Sequence, residues 1–135
     1  MEKRFEEVEH TADIALHVWG RDLSELFANA AYGMASQLTD IEDVVLTDEQ
    51  EIGLEAKDTE ILLVDWLSEL LYRGERKHHV YVDFEMQKVT EKELQAIARG
   101  GPVKAYHRGI KAVTFSELEV VQTENGYETT VVFDV

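Results

Sequence analysis

The clearest folding pattern in the chain lies in its C-terminal segment, Thr123-Glu124-Asn125-Gly126-Tyr127-Glu128-Thr129-Thr130-Val131-Val132-Phe133-Asp134-Val135. The odd-numbered residues from Tyr127 to Val135 are aromatic or β-branched, and this period of two is typical of a strand with one buried face. Asn125-Gly126 is a residue pair that favours a type I′ turn between antiparallel strands. The segment therefore predicts a hairpin whose second strand extends to Val135.

Several other segments show strand patterns. Ile110–Phe115 is apolar enough to form a strand before the hairpin, and apolar residues alternate in Ile14–Trp19. Val80, Val82 and Phe84 alternate in the same way, and a strand is also expected within Val44–Ala56. Arg99–Pro102 contains Gly-Gly-Pro and is predicted to be a loop. The sequence thus predicts some seven strands, the later ones joined by hairpins.

Two helices separate these strands. Asp22 and Glu25 form a capping pair, after which apolar residues recur at helical spacing through about Gln37. A second capping signal at Asp58 precedes a broadly apolar helix that is expected to end near Arg73-Gly74. We therefore predict an α+β fold: a single domain over residues 1–135, built as a two-layer sandwich in which a mostly antiparallel mixed sheet packs against two helices.

Composition limits the classes of function. The 135 residues contain 28 Asp and Glu, 13 Lys and Arg and no Cys, which gives a formal net charge of −15. Without Cys the chain has no disulfide, thiolate nucleophile or Cys-ligated metal. The negative charge argues against direct nucleic acid binding and against anionic membranes, and it favours cations or basic protein surfaces. The same charge would also serve solubility alone. No apolar run is long enough for a membrane span or a signal peptide, so we expect a cytoplasmic protein.

One candidate site is the turn Glu9-His10-Thr11-Ala12-Asp13. An imidazole, a hydroxyl and two carboxylates suit a hard cation or proton transfer. The alternative is ordinary turn chemistry, in which Thr11 and Asp13 bond to nearby backbone amides.

A second candidate is the pair Asp134-Val135, where a side-chain carboxylate lies beside a terminal carboxylate. Two adjacent anions repel each other unless a cation lies between them. If the first and last strands are neighbours, Asp13 would join them in an all-oxygen site for Ca²⁺, Mg²⁺ or Mn²⁺. Lys111, within an apolar strand, would matter only if it faces this acidic cluster.

These segments resemble the archease family. The similarity is carried by Glu9–Ile14, Leu26–Met34, Leu62–Tyr72, Lys111–Thr114 and Phe133–Val135, in order and at family length. The family usually has Tyr-His after the Lys-Ala-Val-Thr strand, whereas this chain has Phe115-Ser116, and we therefore assign no role to those two positions.

The resemblance implies a function. Archeases are non-catalytic activators of the RtcB-type RNA ligase of tRNA splicing, and they promote guanylylation and multiple turnover of that ligase. It further implies a metal site of Asp13, Asp134 and Val135, most readily for Ca²⁺, with Mg²⁺ or Mn²⁺ as alternatives. Lys111 would act in activation together with Asp13 and Asp134, and His10 and Thr11 would support the metal ligands.

The residues leave two further alternatives open. One is a metal-dependent hydrolase that uses Asp13 and His10, although no catalytic motif is recognisable in the chain. The other is a general protein chaperone, which would show an exposed apolar patch.

Overall fold

The computed structural model of the protein describes residues 4–8 and 13–135. In this part of the chain, two helices pack against two antiparallel sheets. The elements, in chain order, are β1 (Phe5–Val8), β2 (Asp13–Gly20), α1 (Leu23–Leu38), a 3₁₀ turn (Ile41–Asp43), β3 (Asp48–Glu55), α2 (Thr59–Lys77), β4 (His79–Val89), β5 (Glu93–Pro102), β6 (Ala112–Thr114), β7 (Val121–Thr123) and β8 (Gly126–Asp134). The predicted α+β class with two helices is confirmed.

The strands form two sheets. The first has the order β1-β2-β8-β6, with β7 also paired to β8, and the second has the order β3-β5-β4. Every strand pair in the described residues is antiparallel, so the expected mixed sheet is not found there. Short connections join β1 to β2, β4 to β5 and β7 to β8, and such connections suit antiparallel neighbours.

The core lies between the helices and the sheets. Alternate residues of β2 (Ile14, Leu16 and Val18) are buried, as the strand pattern requires. Trp66 of α2 is fully buried, and its indole N–H donates to the Phe27 carbonyl of α1 over 3.0 Å. That bond lets a large aromatic side chain enter the core without an unpaired donor.

Both predicted helix starts are confirmed. The Asp22 carboxylate accepts from the Glu25 N–H at 2.8 Å, and the Arg21 N–H donates to the Glu25 carboxylate at 3.0 Å. The Asp58 carboxylate accepts from the Ile61 N–H at 2.9 Å. Within the described residues, neither helix has the length and apolarity needed to cross a membrane.

The predicted end of α2 at Arg73-Gly74 is wrong, because the helix continues to Lys77. Gly74 is buried, and a Cβ atom there would lie 2.5 Å from the His79 carbonyl oxygen. This glycine therefore permits close packing of β4 on α2. The left-handed residue that ends the helix is His78, with φ of 59°.

The predicted loop at Arg99–Pro102 is also wrong, since these residues belong to β5. A Cβ atom on Gly100 would lie 2.1 Å from the Val80 carbonyl oxygen, and one on Gly101 would lie 1.9 Å from that of Val45. The two glycines thus allow neighbouring backbone to approach the strand.

The C-terminal hairpin is present, but its turn differs from the expected one. Thr123 pairs with Gly126, so the turn residues are Glu124 and Asn125. Neither has a positive φ, which a type I′ turn requires at both central residues. The positive φ, +135°, belongs to Gly126, which begins β8.

Candidate metal centre

The strand that begins with Asp13, β2, and the last strand of the chain, β8, are direct neighbours in the first sheet. β2 pairs with β8 along its whole length, and the register places Asp13 opposite Asp134. The sequence made the convergence of these two carboxylates conditional on such a pairing. The structure therefore brings together the two aspartates that the sequence singled out.

Lys111 lies near the same end of β8 as Asp134, on the side of β8 opposite to β2. β6 pairs with β8 so that Ala112 lies opposite Asp134, and the Lys111 N–H donates to the Asp134 carbonyl over 2.7 Å. The Lys111 side chain is exposed, as are Asp134 and Val135, whereas Asp13 is half-buried. The aspartate pair is thus flanked by a lysine within one strand width.

The oxygen donors at this corner of the sheet, where Asp13, Asp134 and Val135 lie, fit a hard cation. Directly opposite residues of antiparallel strands have Cβ atoms about 4.5–5.5 Å apart, so two aspartates there can share one ion. Two like charges in such positions destabilise a sheet, and a divalent cation would remove that cost. Carboxylate oxygens are the donors that Ca²⁺ and Mg²⁺ prefer. Asp13 and Asp134 would hold the ion, with the Val135 carboxylate as a third donor.

Side chains alone do not supply a third ligand in the described residues. Within 4–8 and 13–135, no group of three or more His, Asp and Glu side chains could hold a metal ion. Among the described residues, the third donor of the metal hypothesis would therefore be the Val135 carboxylate. His10 and Thr11, expected to support the ligands, lie outside the described residues.

The face of β2 that begins with Asp13 continues through His17. Its Nδ1 lies 3.0 Å from the Thr130 hydroxyl, and its Nε2 lies 3.5 Å from the Glu128 carboxylate. The His17 ring also contacts Trp19 edge-on, with centroids 4.7 Å apart. This row was not recognised from the sequence, although the period of two places Asp13, His17 and Trp19 on one face of β2.

Another carboxylate with a mostly buried side chain, Asp48 at the start of β3, was not recognised from the sequence. It accepts from Gln50 Nε2 at 2.8 Å, from the Tyr81 hydroxyl at 2.7 Å and from His79 Nδ1 at 3.0 Å, and Lys77 Nζ lies 3.5 Å away. Only 10% of its side chain is exposed. The four donors connect β3 to β4 and to the end of α2.

These contacts shift the pKa values of Asp48 and Tyr81 in opposite directions. Burial raises the pKa of Asp48, but the hydrogen bonds from Gln50, Tyr81 and His79 lower it by more, so the net pKa lies well below the usual range. Burial, followed by the hydrogen bond to Asp48, raises the pKa of the Tyr81 phenol. Asp48 is therefore held as an anion throughout the neutral range.

Comparison with known proteins identifies the class. The chain superimposes on the solution structure of protein 1598 from Methanobacterium thermoautotrophicum with a TM-score of 0.80 and 28% identity, over 97% of this chain and 98% of that one. A crystal structure of an archease from Thermotoga maritima, described as a possible chaperone, gives 0.69 and 26%, over 100% and 98%. The fold is that of the archease structures.

The sequence relationships are closer. The chain matches the Archease protein family (MTH1598/TM1083) over residues 5–135. It is 38% identical to the protein archease of Methanosarcina mazei, over 98% of this chain and 97% of that protein. It is also 34% identical to that of Archaeoglobus fulgidus, over the full length of both. The protein belongs to the archease family, as the resemblance predicted.

Proposed function

We propose that this protein is a non-catalytic, metal-binding activator of an RtcB-type RNA ligase in tRNA splicing and RNA repair. The observation that carries the proposal is the register that places Asp13 opposite Asp134, with the Lys111 backbone bonded to Asp134. The ligase enters the proposal as the partner that the resemblance to the archease family implies. A cytoplasmic location would give access to such a ligase.

The metal has a structural part in this proposal. A divalent cation, with Ca²⁺ the first candidate, would neutralise the aspartate pair and supply a fixed positive charge at the corner of the sheet. Asp13 and Asp134 would orient this corner, and the exposed Lys111 would contact the ligase. Promotion of guanylylation then comes from protein contact, and the chain itself needs no catalytic group.

Docking should depend on charge. A chain with net charge −15 is attracted to a basic surface, such as the mouth of an active site that binds RNA and GTP. Raising ionic strength from about 10 mM to about 0.5 M should therefore slow association with the ligase, mainly through the on-rate. An association rate that does not change with salt would indicate apolar docking.

The decisive experiment is a guanylylation and turnover assay of the cognate ligase with substoichiometric protein. Asp13→Asn, Asp134→Asn and Lys111→Gln should each lower activation at least tenfold, while their melting temperatures stay close to that of the wild type. Glu119→Gln and Lys57→Gln are matched controls, because both residues are exposed. Full activation by the three site variants would refute the proposal, and so would hydrolysis of nucleotides or RNA by the protein alone.

A general chaperone is the second candidate, because the archease structure from Thermotoga maritima is described as a possible chaperone. The exposed apolar side chains include Val45 (69%), Phe115 (56%) and Leu46 (51%), but Phe115 is far from the other two in sequence. The test is light scattering from a heat-denatured client protein. Suppression of aggregation that is lost in Val45→Ser/Leu46→Ser would favour this role over ligase activation.

A further inference from the structure

Positive charge is concentrated in two short segments of this acidic protein. Residues 72–79 (YRGERKHH) and 103–111 (VKAYHRGIK) together carry a formal charge of +5, and the remaining 118 residues carry −20. The two segments also contain three of the five histidines. The net charge of −15 therefore conceals a local excess of cations, which we name the basic strip.

The structure joins the two segments into one surface feature. The His78 ring stacks on the Tyr106 ring, with centroids 5.4 Å apart and an angle of 12° between their planes. The Val103 N–H donates to the His78 carbonyl at 3.0 Å. From there, residues 104–110 lead to Lys111 at the candidate metal centre. The two segments of the basic strip thus meet at His78 and Tyr106, and the second segment continues along the chain to Lys111 at that centre.

An exposed aromatic ring, that of Tyr72, accompanies the cations at one end of the basic strip. Tyr72 is 58% exposed, and the Arg76 guanidinium lies 5.5 Å from the centre of its ring. A groove of about 570 Å³ lies beside them, lined also by Arg73, Lys77, Gln50 and one acidic residue, Glu69. An exposed ring beside cations along a groove is a feature of surfaces that bind single-stranded nucleic acid by stacking and phosphate contact.

The ion pairs within the basic strip are loose. Arg73 lies 3.5 Å from Glu69, Lys77 lies 3.5 Å from Asp48, and Arg108 lies 3.9 Å from Glu7. His107 lies 3.7 Å from Asp40. The Arg108–Glu7 and His107–Asp40 pairs are exposed and contribute little to stability, so a phosphate could replace those partners at small cost. Lys77 and Arg73 are held more firmly, by the mostly buried Asp48 and by hydrogen bonds to Gln50 and the Glu51 carbonyl.

We infer that the basic strip binds a short single-stranded RNA segment, with Tyr72 stacking on a base and Arg76 and Lys104 contacting phosphates. The surrounding charge of −20 confines the contact to a few nucleotides and excludes an extended duplex. An acidic protein segment would use the same cations without needing the rings. The exposed Tyr72 therefore favours RNA. This inference goes beyond ligase activation and does not depend on it.

The test is fluorescence anisotropy of a labelled ten-nucleotide oligouridylate titrated with the full chain at about 50 mM salt. With three to four phosphate contacts, log K should fall with log salt at a slope of about −2 to −3. Arg76→Gln/Lys104→Gln should weaken binding and reduce this slope by about 1.4. Tyr72→Leu should weaken binding at least about fivefold and leave the slope unchanged.

The control is Lys57→Gln/Lys92→Gln, which removes the same charge from residues outside the basic strip and should bind RNA like the wild type. Equal losses in the two double variants would overturn the inference, as would absence of saturable binding up to 1 mM protein. Competition by polyglutamate, together with undiminished oligouridylate binding by Tyr72→Leu, would assign the strip to an acidic protein and also overturn it.

Discussion

Asp48 and the Asp13–Asp134 pair show two ways of placing carboxylates in one small protein. Asp48 is surrounded by donors of its own chain, three of them within 3.0 Å. Asp13 and Asp134 instead lie opposite each other on neighbouring strands. A carboxylate surrounded by its own chain's donors contributes to the fold, whereas carboxylates placed against each other favour a cation from outside.

The largest effect should come from breaking the Asp48 network. Asp48→Ala leaves Tyr81, His79 and Gln50 without their acceptor, and we expect a loss of about 2–4 kcal/mol in the free energy of unfolding, or roughly 10 °C in Tm. Chemical denaturation measures it. The control is Glu49→Ala on the same strand, whose exposed pairing with Arg99 should contribute much less to stability. Equal losses of stability in the two variants would show that the Asp48 network stabilises the fold no more than an exposed ion pair does.

The second prediction concerns the metal. Ca²⁺ at about 100 times its Kd should raise the free energy of unfolding by about 2.7 kcal/mol. One glycine added after Val135 moves the terminal carboxylate by about 3.3 Å, so the increase should shrink by about 1.4 kcal/mol or more at the same Ca²⁺ concentration. A glycine added before Met1 and the substitution Val135→Ala should change little. Equal Ca²⁺ affinities in calorimetric titration of the two extended chains would exclude the Val135 carboxylate as a ligand.

The third prediction follows from the lowered pKa of Asp48. Below pH 3.8 the unfolded chain binds a proton at this residue, whereas the native carboxylate stays ionised, so its contribution to stability is present above that pH and is lost as pH falls below it. Stability of the wild type should therefore decline more steeply than that of Asp48→Asn between pH 4 and 2, by up to about 1.4 kcal/mol per pH unit. Parallel curves would show that Asp48 is not specially stabilised as an anion.

The smallest predicted effect is a gain in stability rather than a loss. Without metal, Asp134→Asn removes one of two opposed charges and should raise the free energy of unfolding by about 0.2–1 kcal/mol. The same variant should lose the stabilisation by Ca²⁺. A decrease in stability without metal would show that the aspartate pair is compensated within the chain, as Asp48 is.

The sequence offered the convergence of Asp13 with Asp134 only as a condition, because period-two patterns predict strands at both ends of the chain but do not determine which strands are neighbours. The Asp48 network could not be anticipated, because its partners Lys77, His79 and Tyr81 are 29 to 33 residues away and no local pattern relates them. The roles of Gly74 and Gly100 were missed for the same reason. Each accommodates backbone from another element, whereas local rules associate glycine with turns and helix ends.

During translation, β2 is synthesised long before β8, the strand that carries Asp134. Leu16 pairs with Val131, 115 residues later, so at about 5–20 residues per second the ribosome releases β8 roughly 6 to 23 s after β2. Of the strands that pair with β2 in the described part of the chain, only β1 has been synthesised during that interval. The two aspartates therefore meet only after nearly the whole chain has been translated, and a nascent or truncated chain cannot present the paired carboxylates.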